Sequence, residues 1–216
     1  DGIRDYKVTG VQTCALPISD GSLKMAFGIT EPDAGSNTHR ITTTATRTAS
    51  GWVLNGTKHW TSNIDDSDAV LVVARDGTPD ARGRAPLSLF VVPTNTPGIT
   101  MHPIEVALRS PEKQFTVFYD NVEIGEDAII GASGEGLKQV FAGLNPERVC
   151  AAAINNGIAR FGLAKAARFV NDRTVWNTPI GAHQGVSHPL PEAYIGVQSA
   201  RLRSEEHTSE LQSPCN

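Results

Sequence analysis

Cysteine is scarce in this chain of 216 residues: Cys14 and Cys215 stand near the ends and Cys150 is alone between them. A lone cysteine builds no disulfide framework, which suits a reducing cytoplasm. The plain reading of Cys150 is a small apolar residue buried on a helix. No apolar run approaches the ~20 residues that a membrane-spanning helix needs. A dominant charge is missing too. Against 19 basic residues stand 23 acidic ones, a net charge of −4 without basic runs, which argues against nucleic acid as the main partner. His39, His59, His102, His183 and His188 lack metal-ligand spacing, so no metal is expected. Neither a P-loop nor a Gly-x-Gly-x-x-Gly dinucleotide fingerprint occurs.

Both end segments look foreign. Residues 8–18 resemble a sequencing-library adapter read in frame, and residues 203–214 resemble the same adapter read from its other strand. Residues 1–19 and 203–216 are therefore expected to be foreign tails and are set aside. Setting them aside removes three basic and five acidic residues and leaves 20–202 with a charge of −2. That length suits one domain plus part of another.

Residues 20–126 read as β. A short, mostly apolar run at 23–29 stops at Thr30-Glu31-Pro32. Residues 41–48 are Thr-rich, Ala49-Ser50-Gly51 turns the chain into Trp52-Val53-Leu54, and Asn55-Gly56 is expected to turn it again. Residues 69–74 and 87–92 are nearly continuous apolar runs, separated by a polar loop at 75–85. Residues 114–119 are strand-like, and Asp120-Asn121 is expected to close them. Short strands with regular turns predict a sandwich or barrel over 20–130.

After the Gly/Ser-rich break at 131–136 the period becomes helical. Val140, Phe141 and Leu144 share one face, followed by Ile154, Ile158, Phe161 and Phe169. Lys165 interrupts the stripe, though its stem can lie along apolar surface. Pro146 is expected to open a second helix with Asn145 as its N-cap, running to about Asp172. Residues 174–188 read as irregular and 190–202 as another helix. The predicted class is α+β, an all-β domain followed by long helices.

Two segments carry the chemistry: Phe27-Gly28-Ile29-Thr30-Glu31-Pro32-Asp33-Ala34-Gly35-Ser36, and Gly56-Thr57-Lys58-His59-Trp60-Thr61-Ser62-Asn63. Alone, the first reads as a strand-ending turn. A tryptophan in a β-domain reads as core, and Trp52 keeps that reading. Together, in this order and spacing, they resemble the two flavin-contacting segments of the acyl-CoA dehydrogenase family. The resemblance covers almost all of 20–202.

That resemblance implies FAD, lined by Phe27, Ile29, Thr30, Gly35, Ser36, Trp60, Thr61 and Ser62. Thr30 would give a hydroxyl, Ile29 a backbone donor, Gly35 a close turn and Ser36 a phosphate contact beside the CoA thioester. Trp60 would pack beside the isoalloxazine and Ser62 would bond near its N5. These parts match what a flavin asks of a protein: donors, an apolar wall and amides near its pyrophosphate. Phe27 stands where the family often has Tyr and Asn37 where it has Asp, which alters any bond there. Ser62 replaces the commoner Thr and keeps the hydroxyl.

In Asn145-Pro146-Glu147-Arg148, the resemblance makes Arg148 a holder of the CoA-bearing substrate with Asn145 near it. A solvated ion-pair member is the plain reading of such an arginine. Glu147 reads either as a first-turn carboxylate favoured by the helix dipole or, as in a minority of the family, as the base that takes the substrate's α-proton. Most members place that base at a position beyond 202 here, so the catalytic base stays open. Arg173-Thr174-Val175-Trp176 and Gly181-Ala182-His183-Gln184 resemble family pieces in which Arg173 and Gln184 would reach a neighbouring subunit's flavin. Trp176-Asn177 replaces the usual Phe-Gly, and surface loop residues are the plain alternative.

The resemblance thus implies a fragment: a flavin-binding β middle domain at 20–130 and the start of a C-terminal helical domain at 131–202. The whole enzyme would be an FAD-dependent acyl-CoA dehydrogenase of fatty acid β-oxidation. It would pass electrons to an electron-transferring flavoprotein and assemble as a homo-oligomer, a tetramer at full length. The fragment alone is expected to be inactive and, with its apolar helix face uncovered, poorly soluble or partly unfolded. An acyl-CoA oxidase of the same fold and a β-sandwich binding module without redox chemistry are the alternatives.

Overall fold

The computed structural model describes residues 20–77, 81, 85–107 and 110–211, with backbone only for 204–211. The tail at 1–19, the tip of the 75–85 loop and residues 212–216 lie outside the described residues. Two compact units divide at Val140 and Phe141.

The first unit is one mixed sheet. Its strands are β1 (Met25–Gly28), β2 (Thr44–Arg47), β3 (Gly51–Ser62), β4 (Ala69–Arg75), β5 (Leu87–Pro93), β6 (Ile99–Ile104), β7 (Gln114–Gly125) and β8 (Ile129–Ile130). They run in the order β6-β7-β3-β2-β4-β5-β8, and β1 pairs with β4 in parallel, Met25 opposite Ala69. Ala26, Ala45, Trp52, Leu54, Val72, Phe90, Val117 and Tyr119 come from six strands and meet in one cluster. Among the described residues all eight strands belong to one hydrogen-bonded sheet, with β6 and β8 at the ends of its order. In β4, Val70 and Val72 enter the cluster while Val73, from the opposite face, is equally buried. Burial on both faces explains the unbroken apolar runs of β4 and β5. Gly136 helps cover β5, since a Cβ there would lie 2.6 Å from the carbonyl oxygen of Leu87.

Two expected turns are instead irregularities within long strands. β3 passes straight through Asn55-Gly56, where Gly56 takes φ 150° and a Cβ would stand 2.6 Å from the Cα of Thr43, so the position calls for glycine. β7 continues past Asp120-Asn121, which sit as a bulge opposite Asn55, with Asn121 left-handed at φ 50°. Asn55 holds the bulge by accepting from the Asn121 N–H at 2.9 Å. Strand β6 has no counterpart in the sequence reading, because Pro103 masks it.

The second unit continues α1 (Gly136–Asp172), whose residues from Phe141 onward belong to it. Pro146 lies inside this helix and opens no new one, so Asn145 is no N-cap and Glu147 no first-turn carboxylate. An interior proline costs ~3 kcal/mol, which a helix of 37 residues tolerates. Cys150 is exposed, contrary to its buried reading. Residues 174–188 contain a small hairpin of β9 (Thr174–Val175) and β10 (Thr178–Pro179), then the single turn α2 (Gln184–Ser187). Trp176 and Asn177 form its tip, both left-handed at φ 51° and 62°. Helix α3 (Pro189–Leu211) follows and carries the backbone into the segment read as a foreign tail. Among the described residues no helix is long and apolar enough to cross a membrane.

Ile154, Ile158, Phe161 and Phe169 are 59–65% exposed along α1, and the Lys165 ammonium rests 5.2 Å from the Phe161 ring centre. This uncovered stripe makes α1 beyond Phe141 the weaker unit. Hydrogen exchange of the chain is expected to leave β4 and β5 amides the most protected and those of residues 148–165 at least tenfold less so. Equal protection would contradict this.

Candidate functional site

The two segments singled out in the sequence lie against each other, and their backbones are tied directly. After β1 the chain turns at Glu31 and Ala34, which exchange two backbone hydrogen bonds of 3.0 and 3.1 Å. The turn sends the Glu31 side chain inward. Its Oε1 accepts from Thr43 N–H at 3.0 Å and Thr43 Oγ1 at 2.5 Å, and its Oε2 accepts from Thr42 N–H at 2.6 Å and Thr42 Oγ1 at 2.7 Å. Lys58 Nζ completes the set, donating to Glu31 Oε1 at 2.9 Å and to the Ile29 carbonyl at 3.1 Å. Lys58 is fully buried and Glu31 nearly so. The lysine stem passes over Gly28, 3.4 Å from where a Cβ would stand. Beside these bonds, His59 N–H donates to the Thr30 carbonyl at 2.7 Å.

Burial by itself raises the pKa of Glu31. The Lys58 charge and the hydrogen bonds from Thr43, Lys58 and Thr42 outweigh it and bring the carboxyl down to about 2. Burial pulls Lys58 the other way, to about 8, with the Glu31 charge holding it up against desolvation. Both groups are therefore charged at neutral pH. Nearby, burial raises the Tyr119 phenol above its ordinary value, and its hydroxyl has no hydrogen-bond partner among the described residues.

Trp60 is presented by a β-bulge. Lys58 pairs with Val117 and Thr61 with Phe115, so His59 and Trp60 together oppose the single residue Thr116. Strand alternation alone would put Trp60 on the buried face with Lys58. The extra residue reverses it: Trp60 is 50% exposed and Thr61 is buried. Trp60 takes φ 59°, a left-handed conformation rare for a bulky residue. Beyond the bulge, Asn63 closes β3 with two bonds to Lys113, donating its N–H at 2.9 Å and accepting on Oδ1 at 3.1 Å.

The sequence-derived residues then fall into groups. Thr30 and Ser36 have hydroxyls without partners among the described residues, and Ser36 is exposed. Ser62 is exposed and its hydroxyl donates to Gln114 Oε1 at 3.0 Å. Phe27 is half-buried on β1 opposite Leu71. The Ile29 carbonyl is occupied by Lys58. Gly35 needs no special backbone angle and a Cβ there would meet nothing, so the protein itself makes no demand for glycine at that point. The Thr61 hydroxyl is buried and has no hydrogen-bond partner among the described residues. Asn145, Arg148, Arg173 and Gln184 are exposed in the second unit. Arg148 lies 5.3 Å from the Phe141 ring centre, and the Arg173 carbonyl accepts from Ile180 N–H at 2.8 Å.

Sequence reasoning quoted Glu31, Lys58 and Asn63 without giving them roles. A signal existed: Trp52, Leu54 and Lys58 share one strand face, and a lysine among core positions calls for a counter-charge.

Residues 26–122 match the family described as "Acyl-CoA dehydrogenase, middle domain", and residues 134–213 match "Acyl-CoA dehydrogenase, C-terminal domain". The chain belongs to the acyl-CoA dehydrogenase family. It is 52% identical over 189 residues to acyl-CoA dehydrogenase FadE12 of Mycobacterium tuberculosis, covering 88% of this chain and 48% of that protein. A glutaryl-coenzyme A dehydrogenase solved as its glutaryl-CoA complex superposes with a TM-score of 0.77 at 34% identity, over 88% of this chain and 48% of that one. A glutaryl-CoA dehydrogenase from Mycobacterium smegmatis in complex with FADH2 superposes with a TM-score of 0.77 at 28% identity, over 89% and 48%. The chain thus spans about half the length of the acyl-CoA dehydrogenases it matches.

Breaking one side of a buried ion pair costs ~3–5 kcal/mol. Lys58→Met is therefore expected to lower the urea midpoint of the β unit more than Lys58→Arg, which keeps the charge. Glu31 has a depressed folded pKa, so its contribution is complete above the ordinary carboxylate value of 4.5 and lost as pH falls toward about 2. Glu31→Gln should flatten the acid limb of stability between those values, followed by far-UV circular dichroism. An unchanged limb would show that the pair is not ionised.

Proposed function

We propose that this chain is part of an FAD-dependent enzyme that dehydrogenates the α and β carbons of an acyl-CoA thioester. One observation carries the reading: a half-exposed indole, Trp60, stands on a bulge of β3 that a buried ion pair locks to a loop bearing the Thr30 and Ser36 hydroxyls. A hydroxyl at Thr30, an aromatic wall and open space at Gly35 are what an isoalloxazine and its phosphate tail require.

Bound FAD would supply the hydride-accepting chemistry at the β-carbon. This chain's residues bind and orient. Trp60 walls the ring and keeps water from it, Thr30 and Ser62 offer hydroxyls to its edge, and Ser36 with the backbone at Gly35 meets phosphate. Phe27 lines the same site, while Ile29 and Thr61 contribute through backbone. Arg148, with Asn145, holds the CoA portion as a charged anchor. Arg173 and Gln184 serve the flavin of a neighbouring copy in a homotetramer. Removal of the α-proton needs a carboxylate, and Glu147, exposed on α1, is the candidate within this chain. The whole enzyme works in the cytoplasm in fatty acid β-oxidation and passes its electrons to an electron-transferring flavoprotein.

The test uses the chain extended to the length of its relatives. It is expected to purify yellow or to take up FAD on titration. Trp60→Ala removes an aromatic contact of ~0.5–1.5 kcal/mol, so FAD binding should weaken roughly two- to tenfold, read by flavin fluorescence. A colourless protein that takes up no FAD would overturn the reading.

A further inference from the structure

The residue that faces the bulge explains how Trp60 is kept out of the core. Thr116, alone opposite His59 and Trp60, brings its Oγ1 to 2.7 Å from His59 Nδ1. The His59 ring lies edge-on to the indole, with centres 5.3 Å apart and planes at 76°. His59 is further anchored through its N–H, which donates to the Thr30 carbonyl. On its other side Thr116 pairs with His102 of β6, whose ring packs against Phe118, leaving the Thr116 hydroxyl to His59. The imidazole is thus bonded at one edge, tethered through its backbone and packed against the tryptophan.

We infer that His59 and Thr116 are positioning residues that clamp the bulge and fix the outward direction of the Trp60 indole. A left-handed tryptophan persists only where its surroundings over-determine it. Slipping the bulge out by one residue would return Trp60 to the buried face and expose Thr61. The clamp opposes that slip at the one cross-strand position where the count is two against one. What the indole is turned out to meet rests on the flavin reading; the fixing of its direction does not.

The experiment is fluorine NMR of the chain labelled with 5-fluorotryptophan, which reports Trp52, Trp60 and Trp176 separately, with the Trp60 line assigned by Trp60→Phe. Thr116→Val removes the hydroxyl, keeps the shape, and changes a residue not in ring contact with Trp60. It is expected to shift or broaden the Trp60 line while leaving Trp52 in place, and Thr116→Ser should restore it. His59→Ala should move the same line, and combining it with Thr116→Val should add little. In the chain extended to the length of its relatives, FAD should shift the Trp60 line, and Thr116→Val should weaken FAD binding roughly three- to tenfold. A Trp60 line that responds to Thr116→Val but not to FAD would sink the flavin reading and leave the clamp standing. A line indifferent to both Thr116→Val and His59→Ala overturns the clamp, whatever FAD does.

Discussion

A carboxylate bonded to an ammonium in the dry interior, Glu31 to Lys58, sets where both functional loops stand. Removing two charges from water is costly, and their attraction repays that only when every remaining lone pair and proton is satisfied. Here Thr42 and Thr43 give the carboxylate four backbone and hydroxyl donors, and the Ile29 carbonyl accepts a second proton of the ammonium. The pair therefore fixes more than itself. It binds the turn after β1 to the segment before β2 and to the middle of β3, three stretches whose relative placement no apolar contact would specify so narrowly. Apolar packing tolerates sliding, whereas an ion pair with this many partners has one acceptable geometry.

That interaction also separates what the sequence disclosed from what it concealed. The strands at 69–75 and 87–93 were legible because burial on both faces writes an unbroken apolar run. The hairpin at Ala49-Ser50-Gly51 was legible because its turn residues lie between two pairing strands. Asn55-Gly56 and Asp120-Asn121 use the same residue types for another purpose, relieving crowding inside paired strands, and composition alone cannot separate a bulge from a turn. Pro146 misled likewise, since a proline that often opens a helix sits here within one. In the site, the exposure of Trp60 and the burial of Thr61 were not legible, because the left-handed residue that shifts the alternation leaves no mark in composition.

The two units differ in how much of their surface is already used. The β unit buries most of its apolar side chains, many of them in one cluster, whereas α1 displays a stripe of isoleucine and phenylalanine at helical spacing. The chain spans about half of its relatives, and its unsatisfied surface is concentrated in the helical half. Trp176, 86% exposed at the tip of a hairpin, belongs to the same pattern.

The open edge of the sheet has its own protection. Among the described residues strand β6 pairs with β7 alone, and an unpaired edge is a template onto which a foreign strand can add. Pro103 interrupts the row of donors along that edge, and β8, at the other end, is two residues long. Amyloid-like growth from the β unit is thereby discouraged at both margins. When copies of this polypeptide stick together, side-chain burial between the exposed apolar helix faces is the favoured route.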